Sequence, residues 1–265
     1  MARAQEEAST DGDLSPTSGA SYLLPILTLG GLVVLWEIAV HLLEVPAWIL
    51  PAPSEIVLAL VDWSDELVLH TAVTLYETLA GYALAIALGI PIAIAVVYSP
   101  LLQNTIYPIL LALQSVPKVA IAPLLLLWVG FGELPKILVV FLVCFFPIVV
   151  GAATGLNAIP PPLMELIRSL SASQYQTFVK IRFPTAMPHI FVGLKVAITF
   201  AVIGAVIGEF VGSERGLGYL ILISSAQSNT PLAFGALVLL TIMSIALYYA
   251  VEGLERLVVP WARYE

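Results

Sequence analysis

The chain has 265 residues, of which 60% are hydrophobic and only 11% are charged, and its mean hydropathy is +1.01. A soluble globular domain carries about 25% charged residues, so this composition argues against a soluble enzyme and indicates one membrane-embedded domain. The formal net charge of −8 argues against a nucleic-acid partner, because a polyanion is attracted to a basic surface. The single cysteine, Cys144, permits no internal disulfide and no cysteine-based metal site.

Residues 1–20 form an acidic stretch with four carboxylates among serine, threonine, glycine and alanine. We expect a flexible tail here, followed by a membrane domain over residues 21–265. A cleaved signal peptide is not expected, because the stretch is acidic and the apolar run after it is long enough to span a membrane.

Six segments are apolar and long enough to cross a bilayer, since a spanning helix needs about 20 predominantly apolar residues. In chain order they cover about residues 22–43, 71–98, 101–129, 136–156, 186–211 and 232–256. The third contains Pro108, Pro117 and Pro123, and we expect it to be kinked or broken because proline interrupts helical hydrogen bonding. The sequence therefore predicts an all-α membrane protein with six transmembrane helices.

The lysines and arginines are unevenly divided between the two sides of these spans. One side carries both chain ends and the loop 157–185, with Arg3, Arg168, Lys180, Arg182, Arg256 and Arg263. The other side carries Lys136 and Arg215. Because positive charge favours the cytoplasmic side, we expect both termini and the loop in the cytoplasm.

The loop 157–185 has the pattern of two short helices. Leu163, Ile167 and Leu170 recur at the spacing of one helical face. Ser173 and Gln176 then match a capping box.

A second helix is predicted over about 174–182, ending before Pro184. Two interpretations of the loop are open: a helix pair that packs beneath the bundle at the membrane surface, and a docking element for a cytoplasmic partner.

The spacing of the loop resembles the cytoplasmic signature loop of ABC-importer permeases, which is Glu-Ala-Ala, three residues, Gly, nine residues, Ile, one residue, Leu-Pro. Glu165, Ile181 and Pro184 match the glutamate, isoleucine and proline. Ser171 stands where the family has glycine, a residue that adopts positive φ without a steric cost. Leucine, isoleucine and phenylalanine replace the two alanines and the leucine of the pattern.

Three further segments resemble permeases of the nitrate, sulfonate and taurine type. They are Pro51–Ser54 after the first span, Pro117–Glu133 in the third, and Gly208–Phe210 with the following Gly216–Tyr219. The likeness covers nearly all of residues 22–260 and implies a type I ABC-importer permease-like fold with a cytoplasmic coupling-helix loop.

The resemblance implies a subunit without enzymatic activity of its own, in the bacterial cytoplasmic (inner) membrane. The expected partners are a second copy of the chain, two ATP-binding subunits and an extracytoplasmic solute-binding protein, with a heterodimer left open. The chain itself is expected to bind no cofactor or metal. ATP and Mg belong to the partner ATPase, because no lysine here follows a glycine as a phosphate-binding loop requires.

By the same resemblance, the helix near 162–170 is the coupling helix that lies in a groove of the ATPase. Its apolar face is expected to make the contact, while Glu165 and Arg168 set the register. The predicted coupling residues are Leu163, Glu165, Ile167, Arg168, Leu170, Ser171, Ala172, Ile181 and Pro184.

Four residues are candidates for the translocation path or gate. Lys118 lies within the third span, and ionisable residues inside a bilayer are functional candidates; it would attract an anionic solute, or it would snorkel or neutralise a structural carboxylate. Gln114 and Ser115 would line the path beside it. Glu209 would act in a gate or brace the loop that follows. The expected solute is a small anion such as nitrate, a sulfonate, taurine or bicarbonate, with a pyrimidine or riboflavin precursor as the alternative.

Two other functional classes compete with an importer subunit. An intramembrane enzyme is disfavoured, because the three histidines are scattered and neither a His-Glu-x-x-His nor a Gly-x-Ser-x-Gly motif occurs. A secondary transporter would also use a broken helix, but the amphipathic helix pair is not expected there.

Overall fold

A computed structural model describes residues 20–261, and all the regular structure in this range is helical. The predicted all-α class is thereby confirmed. The predicted acidic tail lies outside the described residues except for Ala20, which begins the first helix.

Eleven helices follow one another along the described chain. They are α1 (Ala20–Leu42), α2 (Pro53–Asp62), α3 (Ser64–Tyr98), α4 (Pro100–Gln114), α5 (Lys118–Val129), α6 (Glu133–Asn157), α7 (Pro161–Ser169), α8 (Gln174–Thr177), α9 (Phe183–Gly212), α10 (Leu217–Ala226) and α11 (Thr230–Val258). Five stretches are long and apolar enough to cross a membrane as single helices, and α4 with α5, which meet at a bend of 98°, would make a sixth span only if the two are taken together.

The bend in the third span lies between Gln114 and Lys118, at the position of Pro117. Proline cannot donate a backbone hydrogen bond and restricts the residue before it, so α4 ends and a new helix begins. The prediction that this segment is kinked or broken is confirmed.

Helices α6 and α9 form the centre of the bundle, with α3 packed against both. Gly151 of α6 faces Gly193 of α9, and a Cβ atom added to Gly193 would lie 2.9 Å from the backbone oxygen of Pro147. Gly81 of α3 likewise lies against Val140 of α6. Small residues let helix backbones approach closely in a membrane, where packing rather than the hydrophobic effect holds helices together.

The two ends of the bundle differ. We call the end that carries α7 and residues 158–182 the loop end, and the opposite end, which carries α2 and α10, the distal end. Helix α6 runs from the distal end to the loop end, and α9 returns.

The acid in the first span, Glu37, joins α1 to α2 at the distal end. Its carboxylate accepts hydrogen bonds from the backbone nitrogen of Ser54 at 3.0 Å and from the Ser54 hydroxyl at 2.7 Å. These donors lie in the first turn of α2, where a carboxylate is favoured by the unpaired N–H groups and the helix dipole.

The sequence predicted that the second helix of the loop ends before Pro184, and this prediction is wrong. Helix α8 continues through a π-helical turn at Phe178–Arg182 into α9, so that Gln174–Gly212 is one helical stretch of 39 residues. A π-turn has one more residue between its hydrogen-bonded groups than an α-helical turn. Here it ends at Arg182, two residues before Pro184, whose ring would otherwise clash with the preceding turn.

Candidate coupling and translocation site

Helix α7 is a short amphipathic helix at the loop end. It begins after Pro160, whose extended backbone precedes two further prolines in the first turn, where the missing N–H groups cost nothing. Leu166 and Leu170 are 55% and 71% exposed, and Glu165 is exposed beside them. This helix therefore presents an apolar and acidic surface away from the bundle.

The predicted contact face of α7 has both exposed and buried positions. Ile167 is only 6% exposed, and it packs toward the end of α3 and the α7–α8 turn. Leu163 is half-buried. Helical spacing identified an apolar face, but that face packs in part against the chain itself.

The turn between α7 and α8 retains the backbone geometry that glycine would favour. Ser171 has a φ of 54°, and its backbone nitrogen donates to the Arg168 oxygen at 3.0 Å. The left-handed conformation is costly for a residue with a Cβ atom. Serine at this position therefore carries strain, while the neighbouring Ala172 has no such constraint.

The capping box predicted for the second loop helix is confirmed. The Ser173 hydroxyl accepts from the Gln176 backbone nitrogen at 3.2 Å, and the Gln176 side chain accepts from the Ser173 nitrogen at 3.0 Å. Ile181 lies in the π-turn and Pro184 in the first turn of α9, both half-buried. The last two signature positions thus lie on one continuous helix, whereas Glu165 lies on α7 and Ser171 in the turn before α8.

Lys118 lies at the break of the third span. Its ammonium group donates to the backbone oxygen of Gln114 at 3.1 Å and lies 5.0 Å from the centroid of the Phe146 ring. Among the described residues, no carboxylate lies within 4 Å of this ammonium group. Lys118 therefore caps the carbonyl end of α4 and stacks on an aromatic ring. Gln114 and Ser115 are exposed beside it.

A buried charged cluster lies near the distal ends of α3, α6 and α9. Glu77, Lys136 and Glu209 are 0%, 6% and 1% exposed. Lys136 forms an ion pair with Glu77, and its ammonium group also donates to the Ser213 hydroxyl at 3.1 Å. Because buried charges are costly unless paired, this contact fixes the three helices relative to one another.

Glu209 holds the start of α10. Its carboxylate accepts from the Thr74 hydroxyl at 2.6 Å and from the Gly218 and Tyr219 nitrogens at 2.5 Å and 3.4 Å. The Leu217 nitrogen donates to the Thr74 hydroxyl oxygen at 2.8 Å. These hydrogen bonds connect the end of α9 to the start of α10.

The partnership of Glu77 with Lys136 is a feature that sequence reasoning missed. The sequence places Lys136 only among the basic residues on one side of the spans, without a partner. The available signal was that both are ionisable residues inside long apolar segments, where each needs a partner of opposite charge.

Comparison with known proteins relates the whole membrane domain to transport systems. Residues 85–264, more than half of the chain, match the family described as binding-protein-dependent transport system inner membrane component. The riboflavin transport system permease protein RibX of Chloroflexus aurantiacus is 37% identical over 242 residues, covering 90% of this chain and 89% of the relative.

Two other relatives carry different transport names. The formylaminopyrimidine transport permease protein ThiX of Halalkalibacterium halodurans is 34% identical, covering 91% of this chain and 96% of its own. The putative aliphatic sulfonates transport permease protein SsuC of Bacillus subtilis is 31% identical, covering 87% of this chain and 84% of its own.

A solved structure has the same fold. A chain of the inward-facing MetNI methionine ABC transporter superposes with a TM-score of 0.64, at 21% sequence identity, over 74% of this chain and 97% of the MetNI chain. At this identity the likeness concerns the fold alone.

Proposed function

Because the chain belongs to the family of binding-protein-dependent transport system inner membrane components, and is thereby the permease subunit of an ABC importer, we propose that it forms the translocation path and that α7 couples this path to a separate ATP-binding subunit. The family resemblance and the type I permease-like fold predicted from the sequence are confirmed. The ATPase contact, the assembly and the solute are parts of the proposal.

The observation that carries the coupling proposal is the exposed face of α7. Leu166 and Leu170 are exposed at the loop end, with Glu165 directly before Leu166 in sequence and Tyr175 exposed on α8. Apolar side chains exposed on a short helix outside the spans are typical of a helix that lies in a partner's groove. The proposed docking residues are therefore the predicted Glu165 and Leu170 together with Leu166, whereas Ile167 is buried.

A second copy of the chain would cover the broken third span. No residue of α4 is buried within the described chain, although α4 is largely apolar. In the membrane this face must contact lipid or protein, and the irregular backbone at the break must lie against protein or a water-filled path. We place the path between two copies of α4–α5, with Gln114 and Ser115 at its narrowest level. A homodimer is the simplest assembly.

The positive charges at the loop end indicate how the chain is oriented in the membrane. The loop end carries Arg168, Lys180 and Arg182, which favours the cytoplasm for the loop and both termini. The distal end would then face the solute-binding protein, in the bacterial cytoplasmic membrane.

For the solute, we favour a pyrimidine- or riboflavin-type vitamin precursor over a small anion. The expectation of an anionic solute depended on a Lys118 side chain that is free to contact the solute. The ammonium group of Lys118 instead donates to a backbone carbonyl and lies over an aromatic ring. The relatives named for riboflavin and formylaminopyrimidine transport are also more similar to this chain than the named sulfonate permease. Melting curves of the associated solute-binding protein with each class of ligand test the choice, since a ligand stabilises its receptor by mass action.

Copurification with the ATP-binding subunit tests the coupling proposal. Leu166→Asp places a charge on the exposed apolar face and is expected to abolish copurification while the permease remains folded. Ser169→Asp adds the same charge at an exposed polar position of the same helix and is the matched control. Undiminished copurification of Leu166→Asp would refute α7 as the docking helix.

A further inference from the structure

A pocket of about 350 Å³ lies at the loop end, between the last turn of α3 and the α7–α8 turn. Its polar lining consists of Arg168, Arg182, Gln174 and Thr177, with the Tyr98 ring at its edge. The pocket thus has two guanidinium groups and no carboxylate in its wall, in a chain whose net charge is −8.

Neither arginine of the pocket has an acidic partner among the described residues. The Arg182 guanidinium carbon lies 5.2 Å from the centroid of the Tyr98 ring, a stacking that orients the planar group. Within residues 20–261, no carboxylate lies within 4 Å of the side-chain nitrogens of Arg168 or Arg182. Both arginines line the same pocket, and guanidinium groups provide paired donors that suit a tetrahedral oxyanion.

The rest of the pocket is apolar. Met164 and Ile167 of α7 and Val97 of α3 form this wall, which explains why Ile167 faces inward. Tyr98 ends the long apolar helix α3, at the level where aromatic side chains mark a membrane–water interface. A free, fully hydrated anion gains nothing from an apolar wall, whereas an amphipathic ligand does.

We propose that this pocket binds the phosphate of an anionic phospholipid headgroup, with the glycerol and the first acyl carbons against the apolar wall. Basic pockets between membrane helices on the cytoplasmic side bind such headgroups, and the anionic leaflet supplies them at high local concentration. Because Arg168 and Ile167 belong to α7, an occupied pocket fixes α7 against α3. Any effect of the bound lipid on coupling rests on the proposed function, whereas the binding of the lipid to this pocket does not.

The test measures lipid retention by the full-length chain alone, without an ATP-binding subunit. The protein is purified from nanodiscs that contain phosphatidylcholine and phosphatidylglycerol, and native mass spectrometry counts the retained lipids. The variants are Arg168→Gln, Arg182→Gln and Lys180→Gln; the last removes one charge from an exposed site in the same loop that does not line the pocket. A parallel series contains inorganic phosphate.

The proposal predicts selective retention of phosphatidylglycerol, reduced about fivefold by each arginine substitution and unchanged by Lys180→Gln and by inorganic phosphate. Equal retention in the Arg168→Gln and wild-type proteins would overturn it, and Arg168 is exposed, so its loss leaves the fold intact. Displacement of the lipid by inorganic phosphate would also overturn the lipid assignment and identify a free-phosphate site. The two proposals fail separately: wild-type copurification of Leu166→Asp with the ATP-binding subunit would refute the proposed function, and it would leave the phosphatidylglycerol result of the arginine variants standing.

Discussion

The Lys136 ammonium group of α6 is paired with the Glu77 carboxylate of α3, and both side chains are more than nine-tenths buried. The residues are 59 positions apart in the sequence, and the contact lies one helical turn from the start of α6. The pair fixes α3 relative to α6 at the distal end, where Glu209 of α9 completes the buried cluster.

Glu77→Gln is expected to leave the Lys136 charge buried and unpaired, which costs about 3–5 kcal/mol. The measurement is the melting temperature and the yield of folded protein in detergent. Lys195→Gln breaks the Lys195–Glu255 pair, whose side chains are about one-fifth exposed, and should cost clearly less. If Glu77→Gln and Lys195→Gln lower the melting temperature equally, the buried pair is not a principal contact of the fold.

Glu209→Gln is expected to release the start of α10. The substitution keeps the shape but removes the charge, so one amide oxygen must replace two carboxylate oxygens as the acceptor for Thr74 and Gly218. Amide hydrogen exchange over residues 214–220 should therefore become faster.

Glu214→Gln, at an exposed position of the same loop, should leave the exchange of this segment unchanged. Protection in Glu209→Gln that matches the wild type would show that the carboxylate does not hold α10.

Ser171→Gly is expected to stabilise the protein. The φ of 54° at this position costs a residue with a Cβ atom about 1–2 kcal/mol relative to glycine, part of which is offset by the greater freedom of glycine in the unfolded chain. The melting temperature should rise in Ser171→Gly and fall in Ser171→Val, because β-branched residues tolerate this conformation least. A lower melting temperature for Ser171→Gly would contradict the assigned turn geometry.

Gly193→Ala is expected to force α6 and α9 apart. The added Cβ atom would lie 2.9 Å from the Pro147 backbone oxygen, and overpacking of this kind costs about 1–3 kcal/mol. Gly253→Ala, where nothing lies within 4 Å of the added atom, should be neutral or slightly stabilising because alanine is the better helix former. Thermal melting of both variants compares the positions, and equal melting temperatures would show that the close approach is not needed.

The sequence predicted those features that depend on residues close to one another along the chain. The apolar spans, the break at Pro117 and the capping box of Ser173 and Gln176 are set by residues within one or two helical turns, and the structure shows the same features.

Contacts between distant segments were not recoverable in this way. Periodicity placed Ile167 on an apolar face of α7, but it does not say whether that face meets the chain itself or a partner. Lys118 was expected to meet a solute or a carboxylate, and its actual acceptor is a backbone carbonyl that only the break of the helix leaves free. The Glu77–Lys136 pair needed the packing of α3 on α6, which no local pattern specifies.

The most direct test of the central claim is uptake by sealed vesicles that contain this chain and the ATP-binding subunit, with the loaded solute-binding protein outside. The account predicts accumulation of the solute that needs ATP inside the vesicle and is lost in Leu166→Asp but retained in Ser169→Asp. Accumulation without the ATP-binding subunit, or undiminished accumulation by Leu166→Asp, would contradict it.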